Sequence, residues 1–172
     1  IEPSSSGSDT WQNQDAWKKL VAAILPPGQA VQEVGYDCRI GYPLQVLQSR
    51  IAALGKDNPY VQQWLKVQGK VLQVCSNPDM TDTALPEPAE TDPAHPTMQA
   101  EDRAYQEATI AFYKDKPKAI ELFRAIAASD SPHKAAARYN IANLMANSKD
   151  VVAARAEAKA FKARVKRPIG IG

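Results

Sequence analysis

The sequence predicts an all-α fold assembled from antiparallel helical hairpins, and three observations predict it. Alanine is crowded late in the chain, with 19 among the 64 residues from Ala100 to Ala163, and Ala enters a helix without losing side-chain entropy. Large apolar residues recur at three- and four-residue steps instead of alternating. Glycine is scarce at 8 and proline frequent at 13, the opposite of the Gly-rich turns that a sandwich or barrel needs. With 172 residues, 44% hydrophobic and 23% charged, the chain is long enough for one ordinary domain or two small ones, and it is neither disordered throughout nor built to span a membrane.

The elements follow in order. From Thr10, Trp11, Trp17, Leu20, Val21, Ile24 and Leu25 mark one helical face, stopped by Pro26-Pro27-Gly28. A loop over Gly28–Tyr42 precedes a second helix opened by Pro43, with Leu44, Leu47, Ile51 and Leu54 as its stripe and Gly55 as its stop. Asp57, Asn58 and Pro59 start a third, which buries Tyr60, Val61, Trp64, Leu65, Val67, Leu72 and Val74. The short turn between the second and third makes them an antiparallel hairpin. Pro78, Pro86, Pro88, Pro93 and Pro96 then interrupt any regular element, so Ser76–Thr97 reads as a linker or an extended segment lying over the surface. Four more helices are expected at about Gln99–Tyr113, Pro117–Ala128, His133–Asn147 and Asp150–Lys166, with Asp115, Asp130, Ser131 and Ser148 as cap and turn residues. The expected organisation is a helical module over 1–75, a Pro-rich acidic linker over 76–98 and helical repeats over 99–172.

Charge is distributed unevenly. The net +2 is too small to imply a polyanion partner, but 76–102 carries −7 while 149–172 carries +5. In the last helix Val151, Ala154, Ala158, Phe161 and Val165 form an apolar stripe beside a basic one of Arg155, Lys159, Lys162 and Lys166. Such a helix is expected to pack by its apolar side and solvate its charges; contact with an anionic membrane surface is the alternative, and nucleic acid is the weaker one. Cys38 and Cys75 each sit at the edge of a helix. Two readings stand, a staple of the kind a secreted or periplasmic protein uses and a pair of independent buried thiols. Ile1 and the polar Ser4–Ser8 opening fit a chain that has lost an N-terminal leader.

A 34-residue shift lays Tyr105 on Tyr139, Ala108 on Ala142, Ala119 on Ala153 and Ile120 on Ala154. With Phe112, Phe123, Ala127 and Pro132 in the first unit, and Tyr139, Asn140, Ile141, Ala142, Ala153, Ala154 and Ala158 in the second, residues 101–166 resemble the tetratricopeptide repeat family. The turn Phe112–Phe123 is about two residues short for that family and carries Pro117 where it has Gly, and Lys149 replaces Gly in the second unit. The Cys-containing loop before Pro43-Leu44 is similar to the start of bacterial extracytoplasmic helical-repeat proteins. The resemblance implies an α-solenoid fragment whose groove is lined by first-helix residues, here Asp102, Tyr105, Thr109, Phe112, Tyr113, Tyr139, Asn143 and Asn147. Tyrosine and asparagine there suit an extended peptide.

Catalytic signals are thin. His95 and His133 stand without Asp, Glu or Cys at a triad or ligand spacing, so both are expected to be exposed. No phosphate-binding, zinc-protease or nucleophile-elbow motif occurs. The expectation is therefore no enzyme, no cofactor and no metal, but a periplasmic or secreted accessory or scaffold subunit that binds another protein, either a peptide segment or a larger subunit. A small non-catalytic subunit of a secreted enzyme is the nearest alternative.

Overall fold

A computed structural model describes residues 9–26, 34–35, 38–87 and 94–165. Among these are seven helices and no strands: α1 (Asp9–Ile24), α2 (Gly41–Leu54), α3 (Pro59–Ser76), α4 (Pro96–Lys114), α5 (Lys116–Ala127), α6 (Lys134–Ala146) and α7 (Lys149–Val165). The helix ends have local causes. Gly55 closes α2 at φ +87°, a conformation costly for a residue with a Cβ. Asn58 caps α3 by accepting from the Tyr60 amide, with Pro59 in the first turn. Asp115 is the single residue between α4 and α5, and its carboxylate accepts from the Lys118 amide. So short a link folds α5 back along α4 as a hairpin.

The helices form two cores. Trp17, Val21 and Ile24 of α1 pack with Leu44 and Leu47 of α2 and with Tyr60, Val61, Trp64, Leu65 and Leu72 of α3. Trp17 meets Trp64 edge to face at 6.3 Å. The second core joins Ala108 and Ala111 of α4 to Ala119, Phe123 and Ile126 of α5 and to Ala137 and Leu144 of α6. Two expected apolar-face residues are not covered. Trp11 stands 74% exposed at the start of α1, and Phe161 is 61% exposed on α7. Arg155, Lys159 and Lys162 are solvated, and of the apolar stripe next to them the two residues whose side chains are described, Ala158 and Phe161, are exposed and not packed as expected. The side chains of Val151, Ala153, Ala154 and Val165, and the whole of Lys166, lie outside the described residues. Ala142, expected at a packing position equivalent to Ala108, is exposed, whereas Ala108 is fully buried.

Cys38 and Cys75 are joined in a disulfide across a sequence separation of 37. It ties the segment before α2 to the last turn of α3. The Gly35 amide donates to Ser76 Oγ at 2.7 Å, and a Cβ at Gly35 would come within 3.0 Å of the same oxygen.

The Pro-rich segment has a mechanical role. Tyr60 lies beside Asp102, and Trp64 and Gln68 lie beside Gln106, so α3 and α4 run in the same direction. Returning along 18 residues of α3 means retracing about 27 Å, which about nine residues of extended, polyproline-like chain cover. The segment is held as it returns. Lys114 donates to the Pro78 and Met80 carbonyls, Lys70 pairs with Asp82 at 3.2 Å, Arg103 donates to the Pro86 carbonyl, and Gln63 donates to the Glu87 carbonyl at 3.2 Å. The helices reach further into the proline stretch than its composition indicates: Ser76 ends α3, and Pro96 and Thr97 open α4.

Replacing both cysteines, Cys38→Ser with Cys75→Ser, is expected to lower unfolding stability by about 3–4 kcal/mol, the chain-entropy value for a loop of this size. Urea unfolding of the oxidised wild type against the double variant measures it, and coincident curves would contradict the staple.

Candidate functional site

Asp102, on the face of α4 toward α3, is 1% exposed. Four hydrogen bonds fill its carboxylate. Arg50 of α2 gives two, Nε to Oδ2 at 2.8 Å and Nη2 to Oδ1 at 2.7 Å, in the fork geometry that matches a carboxylate. Tyr60 of α3 donates its hydroxyl, and His133, at the N-terminal cap of α6, approaches Oδ1 through Nε2 at 2.6 Å. A carboxylate only accepts, so His133 Nε2 carries the proton. Its Nδ1 lies against the Tyr42 hydroxyl, which in the neutral ring donates to it. Burial alone would push the Asp102 carboxyl up, but the bonds from Arg50, His133 and Tyr60 outweigh it and hold the group below its ordinary value. Burial and the Asp102 charge push the Tyr42 phenol up to about 12, and Tyr60 still higher. Tyr42 therefore keeps its proton, and Asp102 has no lone pair aimed at solvent. This arrangement joins α2, α3, α4 and the start of α6.

His133 contradicts the sequence expectation. It is 2% exposed, because its carboxylate partner lies 31 residues away on α4 and not near it in sequence. His95 is exposed. Asp102, expected in the groove, faces away from it into this network.

Beside the network, between the two cores, lies a cavity of about 230 Å³. Arg39, Tyr42 and Pro43 at the start of α2 and Gln68, Val71 and Leu72 of α3 form one side. Tyr105, Thr109, Phe112 and Tyr113 of α4, Phe123 of α5, and Tyr139, Asn140 and Asn143 of α6 form the other. Six expected groove residues, Tyr105, Thr109, Phe112, Tyr113, Tyr139 and Asn143, thus line one cavity. Asn147 does not; it is exposed at the end of α6, with its amide turned to Asn143.

Tyr105 organises the walls. Its ring stacks on His133 at 4.8 Å and meets Tyr42 at 5.2 Å and Phe123 at 5.8 Å edge to face, while its hydroxyl accepts from Asn140 at 3.0 Å. The Asp102–His133 and Tyr105–Asn140 pairs run in the same order along α4 and from the cap into α6, so the two helices point the same way. Arg39 spans the mouth, donating from Nη1 to the Tyr139 hydroxyl at 2.9 Å. Arg39, Tyr42, Gln68 and Asn140 were not foreseen. The first three belong to the N-terminal half, and nothing in the repeat pattern points to them; Asn140, adjacent to Tyr139, was expected to pack. Among the described residues no group of three or more His, Cys, Asp or Glu could hold a metal ion.

Asp102→Asn should cost about 3–5 kcal/mol, because it leaves the Arg50 charge without its counter-ion. The pH dependence has a definite sign. The folded-state pKa lies below the ordinary 3.8, so the contribution of Asp102 is complete above about pH 4 and is lost as pH falls through the depressed folded value. Thermal unfolding between pH 2 and 7 should show a shallower acid limb for Asp102→Asn than for wild type; parallel limbs would contradict the assignment.

Compared with known proteins, the chain matches no family model, no curated protein and no solved structure.

Proposed function

We propose that this chain is a non-catalytic helical module that binds another protein, laying a segment of it across the α4–α6 face with one side chain in the cavity. The observation that carries the reading is the convergence of Tyr105, Thr109, Phe112, Tyr113, Tyr139 and Asn143 on one concave site. Tyrosines offer flat apolar area with a hydrogen-bonding end, and asparagines offer both donor and acceptor, which together suit an extended backbone. A cavity of about 230 Å³ is below the usual range of about 300–1,000 Å³ for a whole ligand. It fits an anchor residue of something larger.

The parallel contact of α4 with α6, in which Tyr105 meets a residue 35 positions on, supports a tetratricopeptide-like arrangement of α4–α7. The exposed Ala142 and Ala158 weigh against close packing in the second unit. The disulfide suits an oxidising compartment, so the working place proposed is periplasmic or extracellular, as an accessory or scaffold subunit.

A second reading has one specific observation behind it. Phe161 projects from α7 with Arg155, Lys159 and Lys162 exposed on the same helix, a composition that inserts into anionic lipid interfaces. Binding to phosphatidylglycerol vesicles at low salt that disappears with Phe161→Asp would support it; no binding at low salt would remove it.

The groove is tested by panning displayed random peptides on the oxidised chain. Selected segments should bind Tyr139→Ala at least about tenfold more weakly than wild type, the usual scale for a buried aromatic anchor, with little change in melting temperature. Equal affinities, or a stability collapse with affinity intact in the surviving fold, would overturn the groove.

A further inference from the structure

The chemistry of the anchor can be taken further, on the assumption that the groove reading holds. The cavity wall is aromatic, and among its described lining residues Arg39 is the one ionised side chain. The surrounding phenols do not offset it with negative charge. Burial raises Tyr42, Tyr105 and Tyr113, so all three remain neutral across the physiological range. The Asp102 carboxylate behind Tyr42 is already matched by Arg50 at 2.7 Å. The described lining therefore presents one positive charge at the rim of an aromatic pocket.

That charge is felt inside. Arg39 opposes the rise that burial gives Tyr113, which places the guanidinium field within reach of the α4 wall. Arg39 is itself exposed, and its bond to the Tyr139 hydroxyl is exposed too. A carboxylate arriving at the mouth offers this guanidinium what the Tyr139 hydroxyl does not, a counter-charge and two oxygens for a bidentate bond. The fork has five N–H donors, so a carboxylate can be taken without giving up Tyr139.

We propose that the partner segment presents an aromatic residue next to an aspartate or glutamate, with the ring among Tyr42, Tyr105 and Tyr113 and the acidic side chain on Arg39. The pocket volume admits one ring. The neighbouring acid then sits at the rim, where it remains partly hydrated and is not charged the full desolvation cost of a buried ion.

Two end-blocked probes, acetyl-Phe-Glu-amide and acetyl-Phe-Gln-amide, isolate the acidic side chain, since both lack terminal charges. Titrations followed by ¹H–¹⁵N NMR should show the Glu probe binding the wild type about tenfold more tightly than the Gln probe at low salt, with shifts at Tyr105, Tyr113 and Tyr139. Arg39→Gln should remove the preference, and Tyr139→Phe, which removes the hydroxyl that Arg39 bonds but keeps the guanidinium charge, should keep it. Raising the salt concentration to about 0.5 M should narrow the gap. Equal binding of the two probes, a preference that survives Arg39→Gln, or shifts confined to other surfaces would each overturn the proposal. If neither probe binds while panned segments still bind in a Tyr139-dependent way, the anchor chemistry falls and the groove stands. If the panned segments are indifferent to Tyr139→Ala, both fall together.

Discussion

A carboxylate removed from water has to recover what hydration supplied, and Asp102 recovers it from groups on three other elements. Arg50 reaches from α2, Tyr60 from α3 and His133 from the entrance to α6, and His133 is held in turn by Tyr42 at the start of α2. If any of these elements shifted by a helical turn, a buried charge would be left short of partners at a cost of several kcal/mol. A well-packed apolar cluster of the same volume could stabilise the interface as much. It would not select one arrangement so sharply, because apolar contacts are non-directional while four bonds to two oxygens are not. The parallel setting of α3 against α4 and the approach of α6 both follow from satisfying this one group.

Other devices act at lower cost around it. The disulfide closes the first core on itself, and the Pro-rich segment ties the ends of α3 and α4 through Lys70, Arg103 and Lys114. The segment's acidity has a use here, since Asp82 meets Lys70, although most of the holding is done by cations on backbone carbonyls. α7 shares in none of these contacts. It is a 17-residue helix rich in alanine, which favours a helix at every position it occupies.

Helix positions were legible in the sequence because their causes are local. Pro59 after Asn58, Asp115 before Pro117, and Gly55 after Leu54 act within a turn of where they stand, and each marks an observed boundary. The polar network was not legible, because its bonds join residues 31 to 91 apart. A histidine with no acid nearby in sequence reads as exposed; His133 is buried because the fold brings the acid to it. The cavity was half legible. Its α4 and α6 walls are residues that the repeat resemblance implies, while Arg39 and Tyr42 come from a segment that the resemblance does not cover. Ala142 shows the same limit from the other side, since a 34-residue offset aligns it with Ala108 without supplying a helix to cover it.

The location of the cavity, between the cores and not within either, bears on how it can be used. A void inside one core would lose packing contacts that its own helices are free to regain by closing up. Here both walls are fixed by interactions outside the cavity: the Asp102 network holds α2, α3, α4 and the start of α6, and the disulfide holds Arg39's neighbour, Cys38. The space is therefore maintained by the same bonds that join the two halves. Anything filling it touches both halves at once, so it stabilises their arrangement by RT ln(1 + [L]/Kd) and meets walls already in place. Preorganisation of this kind lowers the ordering cost of binding, and it ties the shape of the cavity to a carboxylate that is not among its described lining residues.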